Sequence, residues 1–198
     1  MAYIRELAAD ELSEQARKQQ EKLREDQGYV PNYAKAFALR PDVLAAWGQL
    51  IGAIRGHMDP RRYELVTLAA ARALRSSYCM LAHGSVLLRA GLFSEAELTE
   101  IARDTRSARL TTAEESIMAF AEKVAREAHA ITAADVDGLR RHGLEDAEIL
   151  DVVLAATARC FFSKTVDSVG ALPDSAFASL DATLRGALTT GRPIETPG

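Results

Sequence analysis

The amino-acid sequence predicts an all-α protein, and three observations carry this prediction. Valine, isoleucine, threonine and the aromatic residues never form the alternating runs that mark β-strands. Alanine, leucine, glutamate and arginine, which are good helix formers, dominate instead. Signals for the start and the end of helices recur along the whole chain. With 198 residues, the chain is long enough for one domain with a substantial core, or for one domain plus a helical extension.

The first half of the chain contains four predicted helix starts, each marked by a capping side chain or by a proline that suits the first helical turn. The first helix starts at Asp10 and ends near Asp26, because Gly28 follows and glycine is common just past a helix end. The next three starts are at Pro31, at Pro41 and at Asp59-Pro60. The last of these helices is interrupted at Ser76-Ser77.

The second half of the chain continues with a helix over residues 78–90, which Gly91 ends. Three more helices begin at capping boxes, in which a hydroxyl side chain and an acidic residue three positions later satisfy each other's backbone N–H groups. These boxes are Ser94 with Glu97, Thr112 with Glu115, and Thr132 with Asp135. A long helix is predicted from about residue 145 to residue 170, and Pro173-Asp174 opens the last helix.

This interpretation divides the chain into three parts. Residues 1–27 form an N-terminal helix, residues 28–174 form a helical domain, and residues 175–198 form a C-terminal helix with its tail. No internal repeat, low-complexity tract or linker is evident in the sequence. We expect the two terminal helices to pack on the central domain or on a neighbouring subunit.

Composition and charge exclude several classes of function. The formal net charge is -4 and the pI is about 5.6, without a basic block, so nucleic-acid binding has no electrostatic basis. The N-terminus has no apolar signal sequence, and no apolar run approaches the roughly 20 residues of a membrane span. We therefore expect a soluble, cytoplasmic protein. Cys79 and Cys160 are too few and too far apart in sequence for a disulfide framework, so both are expected to be thiols.

The residues with the clearest chemical potential are Glu64, Cys79 and His83. Cys79 and His83 are four positions apart on one predicted helix, so their side chains share a face. Cys79 lies in the first turn, where the helix dipole favours a thiolate, and a nearby imidazole can accept the thiol proton. The break at Ser76 predicts a helical hairpin that brings Glu64 beside His83, where a carboxylate orients the imidazole. The three side chains would then form a proton relay.

Each of these residues also has a purely structural interpretation. A lone cysteine in an Ala/Leu-rich helix usually packs as a small hydrophobic residue, and a lone histidine is more often a surface or core residue than a catalyst. Glu64, near a helix start, has a favourable interaction with the helix dipole in any case. No metal and no cofactor are expected, because no phosphate-binding loop occurs and the other histidines lack partners at metal-ligand spacing. These histidines are His57, His129 and His142.

The sequence resembles the alkylhydroperoxidase D family, especially its peroxidase-related branch, in several segments that occur in order. The family signature is a glutamate, eleven residues, and then Cys-x-x-Cys-x-x-x-His, and Glu64, Cys79 and His83 match it in register. The matching segments are residues 28–32, 61–65, 78–83 and 162–170. The resemblance covers about residues 28–174. It implies the helical AhpD-like fold of the alkylhydroperoxidase D / carboxymuconolactone decarboxylase superfamily, with helical extensions at both ends.

One position departs from this family pattern, since Ser76 replaces the first cysteine of the pair. In the family, the second cysteine is linked to peroxide attack, and the first resolves the resulting sulfenic acid into a disulfide. The resemblance therefore implies a thiol-dependent hydroperoxide reductase in which Cys79, activated by His83 and Glu64, forms a sulfenic acid that an external thiol reduces. The substrates would be a small peroxide and that thiol.

Two further residues have open roles. Cys160 is an alternative resolving thiol, although its position in an apolar helix favours burial. Tyr78, next to Cys79 in sequence, either lines a pocket or packs in the core.

Two other functions stay open. A carboxymuconolactone decarboxylase-like lyase needs a proton donor and an anion pocket, for which His83 and one of three arginines are candidates; the arginines are Arg61, Arg62 and Arg75. A non-catalytic helical scaffold would keep the fold with Cys79 buried and inert. The resemblance also implies a homo-oligomer, either a trimer or a hexamer.

Overall fold

The computed structural model describes residues 2–104, 106 and 109–196, and all regular structure in these ranges is helical, as the sequence predicts. The last two residues of the predicted tail lie outside the described residues. Short 3-10 turns at Ala128–Ala130 and Ser175–Ser179 accompany the α-helices. The α-helices of the described residues are α1 (Glu14–Gln27), α2 (Asn32–Phe37), α3 (Pro41–Arg55), α4 (Pro60–Ala73), α5 (Ser77–Arg89), α6 (Glu95–Arg103), α7 (Thr112–Glu127), α8 (Ala133–Arg141), α9 (Asp146–Ser168) and α10 (Ala182–Leu188).

The core is built around α4, which packs against α5, α7 and α9. Every residue from Tyr63 to Ala71 is buried, so α4 is covered on all sides rather than along one apolar stripe. The long helix α9 also contacts α3, α5 and α7. Helices α4, α5 and α9 therefore place residues that are distant in sequence at one point in the core.

The break between α4 and α5 lies where the sequence predicts it. Arg75 adopts a left-handed backbone conformation with φ of 56°, which is uncommon for a residue other than glycine. The N–H of Ser76 then donates to the carbonyl of Ala71 at 3.0 Å, which closes the helix end in the manner of a Schellman motif. The C-terminal segment covers this break, because the N–H of Gly191 donates to Ser77 Oγ at 2.7 Å.

Two predicted helix starts are wrong in detail. Helix α1 begins at Glu14 rather than after Asp10, because the Ser13 hydroxyl caps it by accepting from the N–H of Ala16 at 3.2 Å. The capping box of α7 lies one residue earlier than predicted, on Thr111 and Glu114.

The last helix is the largest departure from the prediction. Asp174 does not open it, because its carboxylate accepts hydrogen bonds from Tyr78 and from the N–H of Asn32. A 3-10 turn follows instead, and α10 begins only at Ala182, capped by Asp181.

Both terminal helices pack on the same chain. Helix α1 contacts α2 and α3, and α10 contacts α5 and α6. No helix within the described ranges combines the length and the apolar character that crossing a bilayer requires.

Candidate functional site

Glu64 and His83 form a hydrogen-bonded pair between α4 and α5. Nδ1 of His83 lies 2.6 Å from Oε2 of Glu64, and the Glu64 side chain is only 4% exposed. An ionised carboxylate can only accept, so the proton resides on Nδ1, and Nε2 is the free acceptor of the imidazole. The hairpin thus brings together the two residues that the sequence predicts to be neighbours.

The environment of His83 favours its neutral form. Burial lowers the pKa of His83 below its usual value, and the positive charge of Arg159 lowers it further. The hydrogen bond and the charge of Glu64 oppose both effects without reversing them. At neutral pH the imidazole is therefore a proton acceptor.

Cys79 lies in the first turn of α5 and is 1% exposed. Its Sγ accepts a hydrogen bond from Ser163 Oγ at 3.1 Å and a longer one from Arg159 Nη1 at 3.5 Å. Among the described residues, no hydrogen bond joins Cys79 to His83. The two side chains instead line the same cavity.

Arg159 and Ser163 are site residues that the sequence analysis did not select. They are four positions apart on α9, so one face of this helix presents both donors to the sulfur. The available signal was a charged residue inside a long apolar stretch, since Arg159 is only 5% exposed. Buried charges are rare and usually have a partner or a function.

The cavity beside Cys79 has a volume of about 1010 Å³. Helices α1, α3, α5 and α9 contribute most of its surface, which is largely aromatic and aliphatic with a few charged groups. Among the residues that line it are Tyr33, Trp47, Tyr78, His83, Arg159 and Phe162. This size and this character are typical of small-molecule sites.

Tyr78 is a fixed part of this cavity. Its hydroxyl donates to Asp174 Oδ2 at 2.6 Å and accepts from the N–H of Tyr33 at 3.2 Å. Burial raises the pKa of Tyr78 well above its usual value, and the Asp174 charge adds to this. Burial also raises the pKa of Asp174, although its hydrogen bonds to Tyr78 and Asn32 act in the other direction. The network ties the start of α5 to α2 and to the segment after α9.

Ser76 occupies the position of the family's first cysteine at the start of α5. It is fully buried, and its hydroxyl oxygen makes no hydrogen bond of standard geometry. It interacts with the carboxyl group of Asp167, whose pKa is raised by burial and lowered by Ser76 to a smaller extent. A side chain of similar size, such as cysteine, fits this position without losing a strong hydrogen bond.

Cys160 contacts α7 and is not among the residues that line the cavity beside Cys79. It follows Arg159 on α9, and its Sγ lies 4.0 Å from the carbonyl oxygen of Ala125 on α7. Burial raises the pKa of the Cys160 thiol. Both cysteines are free thiols.

The three arginines considered for a lyase lie outside the cavity. Arg61 pairs with Glu114 at 2.5 Å, and Arg62 pairs with Glu148 at 2.6 Å. The Nε of Arg75 donates to the carbonyl of Thr190 at 3.3 Å. Within the part of the chain that the structure describes, no group of three or more histidine, cysteine, aspartate or glutamate side chains is arranged to hold a metal ion.

Comparison with known proteins identifies relatives of both the sequence and the fold. Residues 41–123 match the carboxymuconolactone decarboxylase family. No curated protein matches the sequence. An uncharacterized peroxidase-related protein from Ralstonia eutropha JMP134, an alkylhydroperoxidase AhpD core, is 22% identical with a TM-score of 0.79, over 89% of this chain and 94% of that chain.

Two further solved structures share the fold. A peroxidase-related protein from Silicibacter sp. TM1040 is 22% identical with a TM-score of 0.78, over 90% of this chain and 94% of that one. The debrominase Bmp8, solved as a variant in complex with 2,3,4-tribromopyrrole, is 15% identical with a TM-score of 0.71, over 92% of this chain and 94% of its own. The family match over residues 41–123 confirms the predicted resemblance to the carboxymuconolactone decarboxylase family in that segment, and the solved structures share the helical fold of this chain.

Proposed function

We propose that the protein is a thiol-dependent hydroperoxide reductase in which Cys79 attacks the peroxide. One observation carries the proposal: a buried thiol with two hydrogen-bond donors, Ser163 and Arg159, lines the same cavity as a neutral, Glu64-oriented imidazole. Donors of this kind favour a thiolate, which is the nucleophilic form of cysteine. The similarity to peroxidase-related structures supports the same chemistry.

The proposed reaction has two steps that balance. His83 accepts the thiol proton, the Cys79 sulfur attacks one peroxide oxygen of ROOH, and the O–O bond breaks. The sulfur is oxidised to a sulfenic acid, and the alkoxide takes the proton from His83 to leave as ROH. Two external thiols then reduce the sulfenic acid to the thiol, giving one disulfide and one water molecule.

The second step needs an external thiol because we expect neither Ser76 nor Cys160 to form a disulfide with Cys79. Ser76 cannot form a disulfide, and Cys160 contacts α7 rather than the cavity that Cys79 lines. We propose a one-cysteine cycle for this reason. A reducing compartment such as the cytoplasm would supply the thiol, in agreement with two free cysteines in the chain.

The test is reduction of hydrogen peroxide and cumene hydroperoxide by the purified protein with dithiothreitol as the reductant. Wild-type protein and the Cys160→Ser variant are expected to consume peroxide at similar rates, and Cys79→Ser at the uncatalysed rate. A sulfenic-acid reagent followed by mass spectrometry should label Cys79 alone after one equivalent of peroxide. Equal peroxide consumption by wild type and Cys79→Ser would rule out this proposal.

A carboxymuconolactone decarboxylase-like lyase is the second candidate, supported by the family match and by one feature of the cavity. His83 and Arg159 supply a proton carrier and a cation in the same cavity, so this chemistry does not need the thiol. The arginine would be Arg159, since it is the buried arginine among those that line the cavity and lies beside Cys79, whereas Arg61, Arg62 and Arg75 lie outside the cavity. Decarboxylation of a lactone acid that persists in Cys79→Ser and disappears in His83→Asn would favour this candidate.

A non-catalytic scaffold is distinguished by the reactivity of the thiols. If the protein is a thiol peroxidase, Cys79 reacts with a small electrophile such as iodoacetamide faster than Cys160 at neutral pH, because only Cys79 of the two has two hydrogen-bond donors at its sulfur. A scaffold would show an inert Cys79. Quantitative mass spectrometry of both alkylated peptides over time separates these outcomes.

We further propose that the chain forms a homo-oligomer, a trimer or a hexamer. Exposed apolar side chains on α3 and α9 support this, with Leu50 49% exposed, Leu150 56% and Phe161 45%. Sedimentation at micromolar concentration tests it. We expect Leu150→Glu to shift the population towards the monomer, whereas a monomeric wild-type protein would contradict oligomer formation.

A further inference from the structure

We propose that Arg159 is an anion-binding residue of the cavity and that the substrate is an apolar carboxylic acid, bound as its carboxylate, which carries the hydroperoxide near its acid group. The identity of the reacting group rests on the proposed function. The anion site itself rests only on the burial, the contacts and the surroundings of Arg159.

Arg159 is a buried cation without a counter-charge from a carboxylate. It is 5% exposed, and no other basic side chain of the described residues is buried to this extent. None of the ion pairs among the described residues includes it. Removing a charged group from water is costly unless it is paired and hydrogen-bonded, so a guanidinium in this position calls for an anion.

The two buried carboxylates in this part of the molecule are engaged elsewhere. Glu64 accepts from His83 at 2.6 Å, and Asp174 accepts from Tyr78 at 2.6 Å and from the N–H of Asn32 at 2.7 Å. Neither one forms an ion pair with Arg159, so neither buried carboxylate supplies the counter-charge of this guanidinium.

Most N–H donors of the Arg159 guanidinium have no hydrogen-bond partner among the described residues. Nη1 donates to the Cys79 sulfur at 3.5 Å, which is a long contact. Nε is buried without a hydrogen-bond partner, and Nη2 makes no hydrogen bond to any described residue. A guanidinium has five N–H donors in a planar fork that matches a carboxylate, so most of its capacity is unused.

The surroundings of Arg159 suit an apolar molecule with one charged group. The guanidinium carbon lies 5.8 Å from the centre of the Trp47 ring and 5.5 Å from that of Phe162. Leu44 and Ile51 also line the cavity, whose volume of about 1010 Å³ accommodates a small organic acid. Aromatic faces stabilise a cation but leave its N–H donors unsatisfied, so they do not replace an anion.

The distance between Arg159 and Cys79 restricts where the hydroperoxide lies in the substrate. Because Nη1 is 3.5 Å from the sulfur, a carboxylate on this guanidinium lies next to the reacting atom. The peroxide oxygen that the sulfur attacks is therefore only a few bonds from the acid group. This geometry favours a 2-hydroperoxy acid over a molecule with its hydroperoxide at the far end of a chain.

The binding experiment uses Trp47 as a reporter, since it is the only tryptophan of the chain and lines the cavity. Cyclohexanecarboxylate and its neutral isostere cyclohexanecarboxamide are titrated into the wild-type protein while tryptophan fluorescence is followed. We expect the acid to bind about tenfold more tightly or better, as a charge-assisted pair predicts. Arg159→Gln should remove this preference, and Arg159→Lys should keep part of it, because lysine retains the charge without the fork.

Two controls keep the binding result interpretable. Arg126→Gln changes the net charge equally at a side chain that is 60% exposed and outside the cavity, and it should bind both probes like wild type. Circular dichroism and thermal unfolding of each variant confirm that it is folded, and Arg159→Lys provides the test if Arg159→Gln does not fold. Equal affinity of the wild-type protein for the acid and the amide would overturn the proposal.

Steady-state kinetics test the substrate class separately from the binding experiment. A 2-hydroperoxy acid should show a KM about tenfold lower than tert-butyl hydroperoxide with wild-type protein, and Arg159→Lys should narrow this difference. Peroxide reduction without acid preference would contradict the substrate class and leave the peroxidase proposal standing. Acid binding without any peroxide reduction would contradict the peroxidase proposal and leave the anion site standing.

Discussion

The carboxylate of Glu64 accepts a hydrogen bond from Nδ1 of His83 at 2.6 Å, across the hairpin that α4 and α5 form. This contact fixes the tautomer of the imidazole and directs its Nε2 acceptor away from Glu64. Replacing Glu64 by glutamine keeps the shape but removes the charge that stabilises a protonated imidazole. We expect kcat/KM for peroxide to fall by about 100-fold or more in Glu64→Gln. Glu148→Gln, which removes a charge from a surface ion pair with Arg62, is the matched control and should retain activity.

The lowered pKa of His83 predicts how activity depends on pH. Burial and the charge of Arg159 disfavour the imidazolium, so the neutral base persists to a pH below the ordinary histidine pKa of about 6.5. Activity should therefore hold at neutral pH and fall only as the pH drops through the lowered pKa. A pH–rate profile of kcat/KM measures this, and an acidic limb above pH 7 would contradict the assignment.

The same shift has a consequence for stability. Since the unfolded chain binds a proton on this histidine near pH 6.5 and the folded chain does so only at lower pH, the free energy of unfolding decreases as pH falls below about 6.5. His83→Asn removes this contribution. Urea unfolding between pH 5 and pH 8 should show a smaller decrease towards acid in the variant than in the wild type, and parallel curves would argue against it.

A disulfide should form when a cysteine is introduced at position 76. Ser76 is three residues before Cys79 and fully buried, and its hydroxyl interacts with the Asp167 carboxyl group without a hydrogen bond of standard geometry, so a thiol replaces it at little cost. Peroxide treatment of Ser76→Cys in a Cys160→Ser background should link the introduced cysteine to Cys79, since the β-carbons of a disulfide are only about 4 Å apart. Non-reducing mass spectrometry detects the loss of two hydrogens. Oxidation of Cys79 to a sulfonic acid instead would mean that the two thiols do not meet.

Gly191 is required where the C-terminal segment crosses the α4–α5 break. A β-carbon at this position would lie 2.0 Å from the carbonyl oxygen of Arg75, which is backbone and cannot move aside cheaply. We expect Gly191→Ala to destabilise the protein by about 1–3 kcal/mol. Gly186→Ala is the control, because this exposed glycine lies within α10 with no atom within 4 Å of an added β-carbon. That variant should gain about 0.5–1 kcal/mol in thermal or urea unfolding, so similar losses in both variants would refute the steric explanation.

Much of the fold could be predicted because its signals are local. The Asp59 cap with Pro60 after it starts α4, and the break before Ser77 starts α5, within a residue of the prediction. Given these two boundaries, the pairing of Glu64 with His83 follows from helical geometry alone, since both lie at similar distances from the break. Local patterns were less reliable where several polar side chains compete to cap the same end, as at Asp10 and Ser13 or at Thr111 and Thr112.

The sequence by itself therefore determined the helical class, the α4–α5 hairpin and the pairing of Glu64 with His83, because capping and helical periodicity act over a few residues. Only the tertiary structure decided what surrounds the sulfur. Arg159 and Ser163 reach Cys79 from 80 and 84 positions away in sequence, and no local pattern specifies which helix face packs against α5. Asp174 is a second example of a contact that the local sequence does not predict. Its position after Pro173 predicts a helix cap, whereas its carboxylate accepts a hydrogen bond from Tyr78, 96 positions away. Such contacts depend on how the helices pack over the whole chain. A buried polar group then forms hydrogen bonds with the groups that this packing brings close to it.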